Sequence, residues 1–127
     1  MKKFTLVLFV ILFTATLGFA QIINEKFTLL NATTTTGAGS VFNSLYPYNH
    51  WLCDIDTTGS PTSITVRIDG NATGDSFDTT GLASETCTAS KCSFAIADQP
   101  AKNVRAVITT FTGGTNPTVT VTCIGRD

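Results

Sequence analysis

The chain reads as one all-β domain, an antiparallel sandwich, on three observations. Segments of strict two-residue alternation recur, and clusters of Gly, Asn, Asp, Ser and Pro separate them. No window beyond residue 20 sustains an apolar helical period over three turns. The composition is rich in threonine and poor in helix formers, which favours strands and exposed loops.

Ahead of the domain stands a different kind of segment. Met1-Lys2-Lys3 is followed by an apolar run from Phe4 to Leu17 and then by Gly18-Phe19-Ala20-Gln21. A basic start, an apolar stretch of this length and small residues at 18 and 20 describe a cleavable signal peptide helix, residues 1–20, cut after Ala20. The run is shorter than the ~20 apolar residues needed to span a bilayer, so no membrane association is expected after cleavage. Cleavage would leave residues 21–127 as the β-sandwich domain, secreted into an extracellular or periplasmic space.

Losing Lys2 and Lys3 with the leader takes the formal charge from −1 to −3. A mildly acidic domain without a basic cluster has no electrostatic footprint for nucleic acid. A chain of this size is one domain and buries about 60–70% of its unfolded surface, so disulfides would be a natural supplement.

The expected strands follow in order. Ile22–Leu30 is a weak candidate, as is Trp51–Ile55. Ser63–Asp69 is strong, with Ile64, Val66 and Ile68 on one face. Ser93–Ala97 and Val104–Phe111 are weaker, and Thr118–Cys123 places Val119, Val121 and Cys123 on one face. Turn chemistry lies at Thr36–Ser40, Thr58–Pro61, Asp69–Asn71, Thr80-Gly81 and Gly113–Pro117. Gly113-Gly114 between two strands predicts a hairpin of Val104–Phe111 with Thr118–Ile124. Thr33–Thr36 reads as an exposed loop or strand edge.

Four cysteines in a secreted chain form a disulfide framework with three possible connectivities. Cys53 shares parity with Trp51 and Ile55, and Cys123 with Val119 and Val121, so both are expected to face the core. Cys87 and Cys92 flank the polar segment Thr88–Lys91 and are placed to close it locally. The favoured pairing is therefore Cys53–Cys123 with Cys87–Cys92. A zinc site would need short paired spacings or nearby histidines, and the one histidine is His50.

Tyr46-Pro47-Tyr48-Asn49-His50-Trp51 gathers both tyrosines, the histidine and the tryptophan. Sugar C–H faces stack on rings while amides bind hydroxyls, so Tyr46, Tyr48, His50 and Trp51 are candidate glycan contacts. The competing assignment puts Trp51 at the start of a core strand with the tyrosines at the sandwich end. Asp69-Gly70-Asn71-Ala72-Thr73-Gly74-Asp75 matches the start of an EF-hand loop, with Asp69, Asn71, Thr73 and Asp75 as candidate calcium ligands. The twelfth place is Thr80 rather than a bidentate glutamate, so a β-turn is the simpler reading and no cofactor is expected. Asn31-Ala32-Thr33 and Asn71-Ala72-Thr73 fit the glycosylation pattern, which a threonine-rich chain meets by chance. No nucleophile with a base, no metal set and no paired carboxylates can be assembled, so no catalytic residues are assigned and the chain is not expected to be an enzyme.

Ile64–Gly70, Ser76-Phe77, Asn103–Thr109 and Gly113–Val121 together resemble small β-sandwich modules of exported bacterial proteins and phage accessory proteins. Their outline is discoidin-like or jelly-roll. The resemblance covers Trp51 to Ile124 and implies a sandwich that binds or assembles. The leader and the cysteines depart from the phage examples and favour a cellular exported protein. The expectation is a secreted non-catalytic module for a glycan or another surface polymer. The alternative is a self-associating subunit of a surface fibre or layer, in which Gln21–Asn31 adds a strand to a neighbour.

Overall fold

A computed structural model describes residues 25–73, 76–77 and 80–126. The leader with its cut after Ala20 and the first residues of the expected Ile22–Leu30 strand lie outside the described residues. So does Asp75.

Nine strands and no helix are found among the described residues. They are β1 (Glu25–Thr33), β2 (Gly37–Ala38), β3 (Phe42–Tyr48), β4 (His50–Thr58), β5 (Ser63–Asn71), β6 (Ala83–Cys87), β7 (Lys91–Ile96), β8 (Ala101–Thr112) and β9 (Thr118–Arg126). One sheet runs β1-β9-β4-β7. The other runs β8-β5-β6, with β2 and β3 sharing the outer edge of β8. All pairings are antiparallel. Apart from β2–β3 and β5–β6, each strand is followed by one in the opposite sheet. This is the strand order of a jelly roll, as the sequence predicted.

The core lies between the sheets and follows the alternation. β4 supplies Trp51, Cys53 and Ile55, and β5 supplies Ile64, Val66 and Ile68. β8 supplies Val104, Ala106 and Ile108, and β9 supplies Val119, Val121 and Cys123. β1 departs from alternation. A bulge between Thr28 and Leu30 turns both Leu29 and Leu30 inward, where they are 2% and 4% exposed.

The expected hairpin of Val104–Phe111 with Thr118–Ile124 is not formed. β8 pairs with β5, β3 and β2, and β9 pairs with β4 and β1. The segment Gly113–Pro117 crosses between the sheets instead. It runs beside the β4–β5 crossover, with Thr115 N–H donating to Gly59 O (2.8 Å) and Thr62 N–H to Thr112 O (2.9 Å). Gly113 and Gly114 have φ of 72° and 87°, and a Cβ on Gly114 would sit 2.7 Å from Gly59 O. Two strands facing each other across a core alternate just as two strands side by side do. Periodicity therefore cannot separate the two arrangements.

Both disulfides are present. Cys53 and Cys123 are direct cross-strand partners on β4 and β9, at 0% and 1% exposure. Cys87 on β6 joins Cys92 on β7 and so ties one sheet to the other.

Candidate functional site

The expected glycan-contact face divides between the core and the surface. Tyr48 and Trp51 are 3% and 2% exposed and pack edge-to-face, ring centroids 5.4 Å apart. Phe27 meets the Trp51 ring edge-on at 5.8 Å and stacks on Phe42 at 3.7 Å. Rings from β1 and β4 thus meet rings from β3, and together they fill the gap between the sheets at this end. Gly125 makes room for them, since a Cβ there would lie 2.5 Å from Tyr48 Cδ2. The Tyr48 hydroxyl donates to Glu25 Oε2 at 3.3 Å. Trp51 Nε1 has no hydrogen-bond partner among the described residues. Buried in this way, Tyr48 and Trp51 belong to the core.

Tyr46 and His50 remain at the surface. The pairing of β3 with β8 jumps from Asn43↔Asn103 to Tyr48↔Ala101, so residues 44–47 bulge out opposite Lys102. Buried Ser44 pins this bulge, its hydroxyl meeting the carbonyls of Lys102 (2.9 Å) and Tyr46. The result is a fixed projection with Leu45 86% and Tyr46 61% exposed. His50 begins β4 on the outer face of its sheet, 3.8 Å from Asp98. It lines a shallow depression of about 220 Å³ with Leu52, Ala95 and Arg126.

The candidate calcium ligands are placed differently from the EF-hand reading. Asp69 is fully buried on the outer face of the β8-β5-β6 sheet. Its carboxylate accepts from Arg67 Nε at 2.6 Å and Nη2 at 3.2 Å, and Arg105 Nε and Nη2 each lie 3.1 Å away. Arg105 in turn lies 4.3 Å from the Phe77 ring centroid. Two guanidiniums thus hold the oxygens that a cation would need. Asn71 donates to Ser76 O at 2.6 Å and accepts from Asn103 at 3.1 Å. Thr73 is exposed, and Asp75 lies outside the described residues. Among the described residues no group of three or more His, Cys, Asp or Glu is placed to hold a metal ion.

The arginine clamp is not among the sites expected from sequence. Its signal was available: Arg67 and Asp69 share parity on one strand, and Arg105 has the opposite parity to the core-facing Val104 and Ala106.

No family model matches the chain. No curated protein matches it by sequence. Solved structures share its fold at low identity. The SPBc2 prophage-derived protein YomS is 16% identical with a TM-score of 0.55, over 83% of this chain and 94% of that one. A family 89 glycoside hydrolase from Clostridium perfringens, in complex with PUGNAc, is 10% identical with a TM-score of 0.54. That match covers 81% of this chain and only 14% of the hydrolase. A picornavirus capsid structure, from the equine rhinitis A virus particle, is 8% identical with a TM-score of 0.50, over 83% and 72% of the two chains. These likenesses show the fold alone.

Proposed function

We propose that the protein is an exported, non-catalytic jelly-roll module that holds a glycan or another surface polymer. The observation that carries this reading is the pinned β3 bulge. It presents the Tyr46 ring to solvent on a backbone already fixed by Ser44. A ring carried on a fixed backbone stacks on a sugar face with less backbone ordering than one on a mobile loop. Export is supported by the leader-like residues 1–20 and by two disulfides, which persist in oxidising compartments. The hydrolase likeness adds that this fold occurs as a small part of a carbohydrate-acting enzyme.

The contacts assigned are Tyr46, with His50 as the second exposed member of the cluster. The test is a glycan array probed with the parent protein and with Tyr46→Ala. Binding by the parent that drops about tenfold or more in the variant is expected, because ring stacking on a ligand is lost. Equal binding by the two proteins, or none by the parent, overturns the reading.

In the fibre-subunit alternative the expected donor segment is an edge strand of its own sheet, paired on one side. Glu25–Asn31, the described part of Gln21–Asn31, is already paired with β9 of its own chain. The edge strand β6 resists addition of a further strand, since Glu85 lies opposite Val66 on the core-facing side.

A further inference from the structure

At the end of the sandwich away from the rings, a cleft of about 320 Å³ opens between two connections. One wall is Thr57–Pro61, the crossover from β4 to β5, and the other is Thr88–Ser90, the link from β6 to β7. The volume lies at the small end of the ~300–1,000 Å³ range of ligand pockets. We propose that this cleft is a second binding site, for a single uncharged, hydroxyl-rich unit of a saccharide.

The first argument is rigidity. Thr57 N–H donates to Ser90 O at 2.8 Å and its hydroxyl to Ala89 O at 3.2 Å, so the two walls are tied together. The Cys87–Cys92 bond closes the second wall at its base. Gly59 is held by Thr115 N–H, and the Thr58 and Thr118 hydroxyls meet at 2.7 Å. A site built this way needs little ordering when a ligand arrives.

The second argument is chemistry. The lining carries no charged side chain. The flanking charges, Asp56 and Lys91, lie 3.5 Å apart and offset one another. Ser60, Thr88 and Ser90 are exposed residues of the lining whose hydroxyls make no hydrogen bond to another described residue, unlike those of Thr57 and Thr58. Hydroxyls both donate and accept, which matches the hydroxyls of a neutral sugar better than a phosphate or an ammonium group.

The third argument is backbone strain. Ser60 adopts a φ of 51° directly after Gly59 at 71°. Glycine would take this conformation without cost, whereas serine takes it with strain and adds a hydroxyl to the lining. Strained non-glycine residues cluster at ligand clamps.

This site stands on residues remote from Tyr46, so the two readings fail separately. The experiment is an amide NMR titration of the oxidised protein with glucose, galactose and N-acetylglucosamine in turn. At least one sugar is expected to give saturable shifts at Ser60, Ala89 and Ser90. Combining Ser60→Gly, Thr88→Val and Ser90→Ala should weaken that binding, read at the Ser60, Ala89 and Ser90 amides, about tenfold or more. Should the combined variant misfold, Thr88→Val alone replaces one exposed hydroxyl at constant volume, and about a fivefold loss is expected. The proposal is overturned if none of the three sugars gives saturable shifts at the cleft, if shifts appear only around Tyr46, or if affinity survives in the folded variants.

Discussion

At one end of the sandwich Phe27, Phe42, Tyr48 and Trp51 fill the space between the sheets with rings. At the other end three connections do the closing, through Thr57 to Ala89 and Ser90, Thr115 to Gly59 and Thr62 to Thr112. Ring packing fills the space between the sheets here, and Leu45 and Tyr46 bulge out past it. Closure by loops leaves a cleft whose walls are polar and fixed. The same architecture thus offers a projecting contact at one end and a recessed one at the other. The distinction comes from side-chain size: bulky rings seal one end, while Thr, Ser, Gly and Pro cannot seal the other.

If the ring end is held by packing, Trp51→Ala should be the most damaging change, costing about 3–5 kcal/mol by urea denaturation. A loss below about 1 kcal/mol would mean that the rings contribute little. The disulfides come next, and chain entropy ranks them by loop length. Replacing both Cys53 and Cys123, separated by 70 residues, should cost about 4 kcal/mol. Replacing both Cys87 and Cys92, separated by 5, should cost about 2 kcal/mol. Equal midpoint shifts for the two pairs would argue against that ranking.

At the loop end, Thr57→Val removes one hydrogen bond and leaves the Ala89 carbonyl unpaired by it, for about 1 kcal/mol. Thermal melting of this variant measures how much the tie between the walls contributes. The smallest effect is expected for Tyr46→Ala, within about 0.5 kcal/mol, because the residue is 61% exposed. A larger change in melting would show that Tyr46 belongs to the ring packing rather than to the surface.

The central strands were legible because their two faces meet different surroundings. β4 and β9 alternate cleanly, as does β5 from Ile64 to Ile68, and Trp51, Cys53 and Cys123 fall on the core face that parity assigns them. β3 was not read as a strand, since Pro47 and a bulge interrupt it. β6 was missed as well, because a glutamate stands on its core-facing side. The pairing of β8 with β9 was misread for a different reason, alternation being blind to which sheet a strand enters. Of the expected ring contacts, Trp51 carried its burial in its parity with Cys53 and Ile55. Tyr48 did not, because the bulge resets the phase between Asn43 and Tyr48. Asp69 looked like a turn residue beside Gly70 and Asn71, and only the position of Arg105 on another strand makes it the centre of an ion cluster.

The crossing pattern of the strands also bears on the order in which the chain can assemble. Among the described strands, only β5 and β6 are successive and pair directly with each other, so one two-stranded unit among them can form from nearby residues. Every other pairing waits for distant segments to meet: β1 for β9, β4 for β9, and β8 for β5. Loop closure of that kind is slow, and folding on the millisecond-to-second scale is expected for all-β chains dominated by such pairings. Stopped-flow refolding with the disulfides intact should run faster than with both reduced, because the Cys53–Cys123 bond brings β4 and β9 together before the search begins. Identical rates would show that β4 and β9 do not meet in the rate-limiting step.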